Sequence, residues 1–494
     1  MPSFACKKNP LIAAAVALVM AAPAFAGTTP FFNVGDLVVS VEGNGVMGAT
    51  SGSYTDNQAS PLTLFQFAIN GTSSASYVNA LVLPQTASGN NAAVSGEYGS
   101  SSEGGLQLSG DGRYLTIAGY GVNAATFNAN PTAYGTALND PTKPNALAQS
   151  SSLTGVAGVT PVSRVAVSID ANGTVDSSTQ LYNVFNGNNP RSVYSKDGSS
   201  FYVSGQGVSG DTTGGVVYAT RGSSTATAIT GLDTSGGTAA QDTRVVTVYN
   251  GQMYVSVDSK QGSGNNRDYI ATLGTAGANP TTLANGGNGP AQLNGFGNSG
   301  GTGKLTVTAT NANGLAAVGK VINLSPEAFY FASASTLYVA DSGTPKNDSG
   351  TSAVGDGGLQ KWVNSKADGS GTWSLLYTLS SGLNLVANTA TSGTTGLLSL
   401  TGRLVGDQVQ LFATNYTVGD IDQTYLYGIS DTLSATSANG ESFSQLAAAP
   451  ADSTFKGVSF APTASAVPEP APVALFGAGL AIMLLTVARR KNKS

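Results

Sequence analysis

Five charged side chains stand at comparable places along this chain. Glu103, Arg191, Arg244, Glu327 and Lys456 each sit at the start of, or just ahead of, a short run of alternating apolar residues. Carboxylates can work as acids, bases or ligands, whereas guanidinium and ammonium groups bind anions and polar partners. Arg191 and Arg244 each lie six residues before a turn dipeptide, Asp197-Gly198 and Asn250-Gly251, so they are expected at equivalent positions of two repeated units. Asp258 and Asp341 close the runs that follow Arg244 and Glu327 and stand outside the five. Together the seven are the candidate ligand-binding patch, with a ring of mutually satisfied charges at a solvated rim as the plain alternative.

A second acidic group, Asp341, Asp348 and Asp356, falls in one Gly- and Ser-rich stretch. Flexible oxygen-rich loops suit Ca²⁺, the one cofactor these residues point to, but EF-hand spacing is absent and a solvated acidic loop is the favoured reading. Tyr202, Tyr254, Tyr338, Trp362 and Trp373 lie inside apolar runs, where they either stack on sugars or pack between sheets. The chain has no histidine, and its single cysteine, Cys6, lies near the start. Ser-His-Asp and Cys-His chemistry and His-ligated metals are therefore excluded, leaving carboxylates, hydroxyls, Lys, Arg and Tyr. No catalytic residue can be named.

The elements that would position these groups are strands. Helical periodicity is absent through the body, and short β-rich runs alternate with Gly, Asn, Asp and Ser. Residues 105–120, 191–205, 244–258, 327–341 and 397–414 each read as two strands joined by a turn. Asp111-Gly112, Asp197-Gly198, Asn250-Gly251 and Gly406-Asp407 are read as two-residue hairpin turns, which need positive φ. Two further strand-like runs follow each pair: 165–169 and 180–185, 215–220 and 225–231, 359–363 and 373–379, 425–429 and 443–448. Four antiparallel strands per unit describe a propeller blade. Residues 455–460 lack a following partner, and residues 36–42, with 64–69 and 77–83 after them, lack a preceding one. The two ends are thus expected to build one blade and close the ring, covering its exposed edges.

The fold expected is an all-β propeller of six four-stranded blades, with a seventh hidden in the Gly- and Asn-rich residues 281–321 as the variant count. A β-helix or sandwich is the competing architecture. Uneven turn spacing requires insertions, of which 121–161 is the clearest.

Charged residues make up 10% of the 494, well under the usual quarter, and Gly accounts for 64. The two ends hold six of the 22 basic residues; without them 16 basic side chains face 27 acidic ones, a net charge near −11. That balance argues against a nucleic-acid partner.

The ends read as addresses. Lys7 and Lys8 precede an apolar stretch and Ala24-Phe25-Ala26, so residues 1–26 read as a signal peptide cut between Ala26 and Gly27. The exported body, 27–462, would then contain no cysteine and no disulfide. At the other end a linker (463–472) carries Pro468, Glu469 and Pro470. An apolar run (473–488) follows, somewhat short for a bilayer span, and then Arg489 and Arg490 in a basic tail (489–494).

This ordered tail resembles the PEP-CTERM sorting signal of Gram-negative bacteria that make extracellular polymers. The resemblance implies an exosortase as processing partner, an inner-membrane intermediate held by the apolar helix, and a final place at the outer membrane, cell surface or extracellular matrix. Ser109-Gly-Asp-Gly-Arg-Tyr-Leu115, Asn188-Asn-Pro-Arg-Ser192, Thr243-Arg-Val-Val246 and Phe455-Lys-Gly-Val-Ser-Phe-Ala-Pro462 resemble an uncharacterised family of exported bacterial propellers, akin to lactonase-like and surface-layer repeats. That family implies no activity. Two functions stay open: a binding or scaffold module, with extracellular polysaccharide as a candidate partner, or a hydrolase or lyase, lactonase-like and Ca-dependent, using carboxylates at the channel mouth. The second departs from the lactonase pattern where Arg191 and Arg244 occupy two of the expected ligand positions.

Overall fold

The structure, a computed structural model, describes residues 30–208, 211–230, 242–259, 267–285, 289–296, 304–306, 321–343, 357–386, 394–417, 419, 421–438 and 440–464. The expected signal peptide with Ala26 and Gly27, the motif Pro468-Glu469-Pro470, the apolar run, Arg489, Arg490, Asp348 and Asp356 all lie outside them. Among the described residues no helix is long and apolar enough to cross a membrane.

Six four-stranded antiparallel blades surround a central channel. Blade one is shared by the two ends of the chain. Its innermost strand, Ser453–Phe460, pairs with Leu37–Gly43, followed outward by Thr63–Asn70 and Ser74–Val82. The closing register runs from Leu37 opposite Phe460 to Gly43 opposite Ser453. Blade two consists of Leu106–Leu108, Tyr114–Tyr120, Arg164–Asp170 and Val175–Leu181, and blade three runs from Pro190–Tyr194 to Thr227–Ala228. Blade four runs from Thr243–Tyr249 to Ala291–Gln292, blade five from Pro326–Ser333 to Trp373–Leu379, and blade six from Thr394–Val405 to Ser444–Ala448.

The seventh blade is not present among the described residues: Lys304–Thr306 and Val321–Asn323 form a separate two-stranded ribbon. Two turns also differ from expectation. Tyr249 pairs directly with Gln252 across Asn250 (φ 48°) and Gly251 (φ 75°), and Val405 with Gln408 across Gly406-Asp407, so both are two-residue hairpins. Asp111-Gly112 and Asp197-Gly198 instead sit in longer loops between Leu108 and Tyr114 and between Tyr194 and Ser200. There the aspartates cap the turn: the Asp111 carboxylate accepts from the Arg113 amide at 3.1 Å, and that of Asp197 from the Ser199 amide at 3.0 Å. The fourth strand of blade two is Val175–Leu181, starting earlier than residues 180–185.

Each blade is buried on both faces, so its inner strands read as near-continuous apolar runs. Leu37–Gly43 is buried throughout. Val38 and Leu64 pack toward blade two, while Leu37, Val39, Phe65 and Phe67 pack against Phe412 and Leu426 of blade six. The hydrophobic core is thus a ring of inter-blade layers. Trp362 is fully buried and stacks on Phe296 with ring centroids 3.9 Å apart; Tyr202 meets Tyr218 at a tilt, with centroids 5.1 Å apart. The 121–161 insertion forms two short helices, Ala124–Ala129 and Thr136–Asn139, joined by the 3-10 turn Pro131–Tyr134. Asn123 caps the first, its side chain accepting from the Thr126 amide at 2.8 Å.

Candidate functional site

The innermost strands share one irregularity. In five of the six blades the pairing with the second strand slips by one residue: at Arg191, at Arg244-Val245, at Glu327, at Leu398 and at Lys456-Gly457. A β-bulge places two residues opposite one and re-aims a side chain. Here it does so at the channel mouth of these five blades. In blade two the strand begins after Gly104 (φ 77°) and Gly105, and Glu103 precedes them. Glu103, Arg191, Arg244, Glu327, Leu398 and Lys456 consequently line one cavity of about 30 Å³. That is room for about two water molecules.

Hydroxyls on the second strands fix these bulges. Ser256 Oγ accepts from the Val245 amide at 2.9 Å and donates to the carbonyl of Glu327 in the next blade, also at 2.9 Å. Ser40 Oγ accepts from the Gly457 amide at 2.7 Å and donates to the Gly104 carbonyl at 2.5 Å. Ser204 and Thr414 donate to the carbonyls of Arg244 and Lys456. A hydroxyl residue at one strand position, Ser or Thr, therefore ties each of these bulges to a neighbouring blade.

The charges pair around the ring. Arg244 Nη1 lies 3.2 Å from Glu327 Oε2, and its Nε lies 3.5 Å from Asp242. Arg191 Nη1 bonds the same Asp242, and its Nη2 donates to Gln206 at 2.8 Å. Glu103 accepts from Tyr120 Oη and Asn189 Nδ2, both at 2.8 Å, and from the Glu97 amide. Lys456 Nζ donates to the Ser100 carbonyl and lies 3.7 Å from Glu42. Glu42 and Glu97 lie behind the cavity wall in a fully buried acidic group with Glu103. Burial raises all three carboxyls above the ordinary carboxylate range, and their mutual repulsion adds to the rise at Glu42 and Glu97. Lys456 opposes it at Glu42, hydrogen bonds from Asn189 and Glu97 at Glu103. Arg164, buried beside this group, lies over the Tyr120 ring at 4.7 Å and donates to the Ser150 carbonyl at 2.8 Å.

Of the seven candidates read in the sequence, five converge on the mouth. Asp341 does not: it is fully buried in blade five, where its carboxylate accepts from the Ser325 and Gly343 amides and from Gln360 Nε2 at 2.8–2.9 Å. It holds strand ends together and lies apart from the cavity lining. For Asp258 only the backbone is described, paired with Asp268. Asp242, Glu42, Glu97, Tyr120 and Arg164 escaped the sequence reading. Glu42 gave the one usable signal, a charge closing the otherwise uncharged strand 37–42. Among the described residues no three His, Cys, Asp or Glu side chains are arranged to hold a metal.

No family profile and no curated protein matches the chain. Among solved structures it is similar to an oligogalacturonate lyase in complex with manganese, at 8% identity over 81% of this chain and 92% of that one, with a TM-score of 0.33. It is also similar to a GH43 β-1,3-galactosidase at 11% identity, over 81% of this chain and 60% of that one, with a TM-score of 0.25. At these scores neither likeness bears on activity, and the propeller assignment rests on the strand order itself.

Proposed function

We propose that this chain is an exported, exosortase-processed propeller that serves as a binding or scaffold module at the cell surface or in the extracellular matrix. The observation that carries the choice of module over enzyme is the pairing at the channel mouth. Glu103 and Glu327, the carboxylates a hydrolase or lyase would use, are both engaged, by Tyr120, Asn189 and Arg244, around a cavity of about 30 Å³. A substrate would have to break those pairs before meeting a free carboxylate. The ordered tail, Pro468-Glu469-Pro470 with the apolar run and Arg489-Arg490, supports the location.

A roomier opening lies on the rim of blades one and two. This cleft of about 460 Å³ is lined by Gln85, Thr86, Asn123, Thr126 and Gln180 with small apolar residues between them. Amides and hydroxyls without charge suit a neutral polysaccharide. Two measurements test the reading. Deleting residues 467–494 should redistribute the protein between membrane, surface and medium fractions, and unchanged fractionation rules out the sorting role. Purified body should bind neutral glycans on an array and release no product from them; turnover would establish the enzyme instead.

A further inference from the structure

Between blades five and six lies a second cluster of reactive groups, remote from the channel mouth. Lys361 is on the third strand of blade five, in register with Tyr338 on one side and Tyr377 on the other. Asp431 is on the third strand of blade six, Tyr425–Thr432. The side chains of Lys361 and Asp431 are both fully buried, and Nζ stands 3.0 Å from Oδ2. Carbonyl oxygens of Thr432 and Ala435, at 2.8 and 3.0 Å, hold the nitrogen in place. Tyr338 Oη donates to Asp431 Oδ2 at 2.5 Å, and Tyr377 Oη contacts both carboxylate oxygens at 2.8 Å. A second carboxyl, Glu441, faces Asp431; burial and the Asp431 charge push it up to about 7. Its Oε2 is buried and has no hydrogen-bond partner.

This is a buried amine, a buried acyl acceptor polarised by two phenols, and beside them a half-buried carboxyl that can carry a proton. A buried ion pair is costly, and proton transfer within it yields a neutral amine, the nucleophilic form, beside a neutral acid. Nζ already lies against the carboxylate whose carbon it would attack, 3.0 Å from Oδ2. We propose that Lys361 and Asp431 form an intramolecular amide cross-link between blades five and six, with Glu441 relaying the proton. Nζ attacks Asp431 Cγ, and the phenols stabilise the developing oxyanion. Glu441 gives its proton to the departing oxygen and takes one back from Nζ, so it ends as it began. One C–N bond forms, one C–O bond breaks, and the ammonium and carboxylate together lose one water, with no oxidant or reductant. Such a link would give a body without cysteine the covalent brace that disulfides give others.

Peptide mapping of the folded wild-type protein tests this. Linkage blocks trypsin at Lys361, so residues 347–366 should be recovered joined to residues 404–456, one water lighter than the sum of the two. Recovery of residues 347–361 and 362–366 as free peptides overturns the proposal, whatever the variants do. Lys361→Arg keeps the charge without the amine chemistry, and should migrate more slowly than wild type in a denaturing gel because the internal loop is lost. Glu441→Gln, if folded by circular dichroism, should link on the order of a hundredfold more slowly. Linking at the wild-type rate removes Glu441 from the mechanism.

Discussion

Arg244 of blade four bonds Glu327 of blade five across 3.2 Å while its Nε faces Asp242, which also binds Arg191 of blade three. Three successive blades are thereby joined at the mouth by alternating charge. The bulge that aims each side chain inward also hands its backbone carbonyl to a hydroxyl on the preceding blade: Ser204 for Arg244, Ser256 for Glu327. Side-chain and backbone links act in parallel.

Replacing one partner of that pair should cost far more than replacing both. Glu327→Gln leaves Arg244 poorly compensated in a nearly buried site and should lower stability by about 3–5 kcal/mol, whereas Arg244→Met with Glu327→Leu should lie close to wild type. Urea unfolding midpoints of the two singles and the double give the coupling directly.

The acidic group sets a pH dependence. Glu42, Glu97 and Glu103 are raised in the folded chain, so their contribution to stability is complete below the unfolded value of 4.5 and is lost as pH rises through their folded values. Stability should therefore decline from pH 4.5 upward by this route. Glu42→Gln should leave stability near pH 4 unchanged and raise it at pH 7, flattening the profile measured by thermal unfolding across that window.

Ser256→Ala removes an acceptor from the Val245 amide and a donor from the Glu327 carbonyl, both within the wall. A loss of about 1–3 kcal/mol is expected, the cost of buried polar groups left without partners. Chemical denaturation of this variant beside Thr247→Ala, a change in the same blade at a partly exposed position, checks whether the loss belongs to the bulge.

Gly457 is required by close approach, since its φ is not positive. A Cβ there would collide with the Leu106 amide and the Gly104 carbonyl, both backbone atoms of blade two. Gly457→Ala should cost about 3 kcal/mol by overpacking, read as a lower melting temperature. An unchanged melting temperature would mean that the closing strand can shift away from blade two.

Strand order was readable because hydrophobic alternation and turn residues are local: a run such as residues 244–258 carries its own hairpin. The split blade was readable for the same reason, as one end lacks a partner and the other supplies it. Arg191 and Arg244 were recognisable as equivalent from their fixed distance to a turn. The aspartate loops at 111 and 197 were misread because Asp-Gly serves both two-residue hairpins and longer Asx-capped turns, and only the register separates them. Asp341 was misplaced because an aspartate at a strand end looks the same whether it faces a channel or accepts from three buried donors.

By itself the sequence determined the six repeated sheets, the closure by the two ends and the chemical repertoire, since these depend on period, turn propensity and composition. Only the tertiary structure decided which charges meet. Asp242 between two arginines, Glu42 behind Lys456, and Lys361 against Asp431 join residues up to 414 positions apart. Nothing local specifies such pairs. They arise because closing the ring brings bulges of neighbouring blades to one axis and packs the face of one blade on the next, where a buried charge must have a partner.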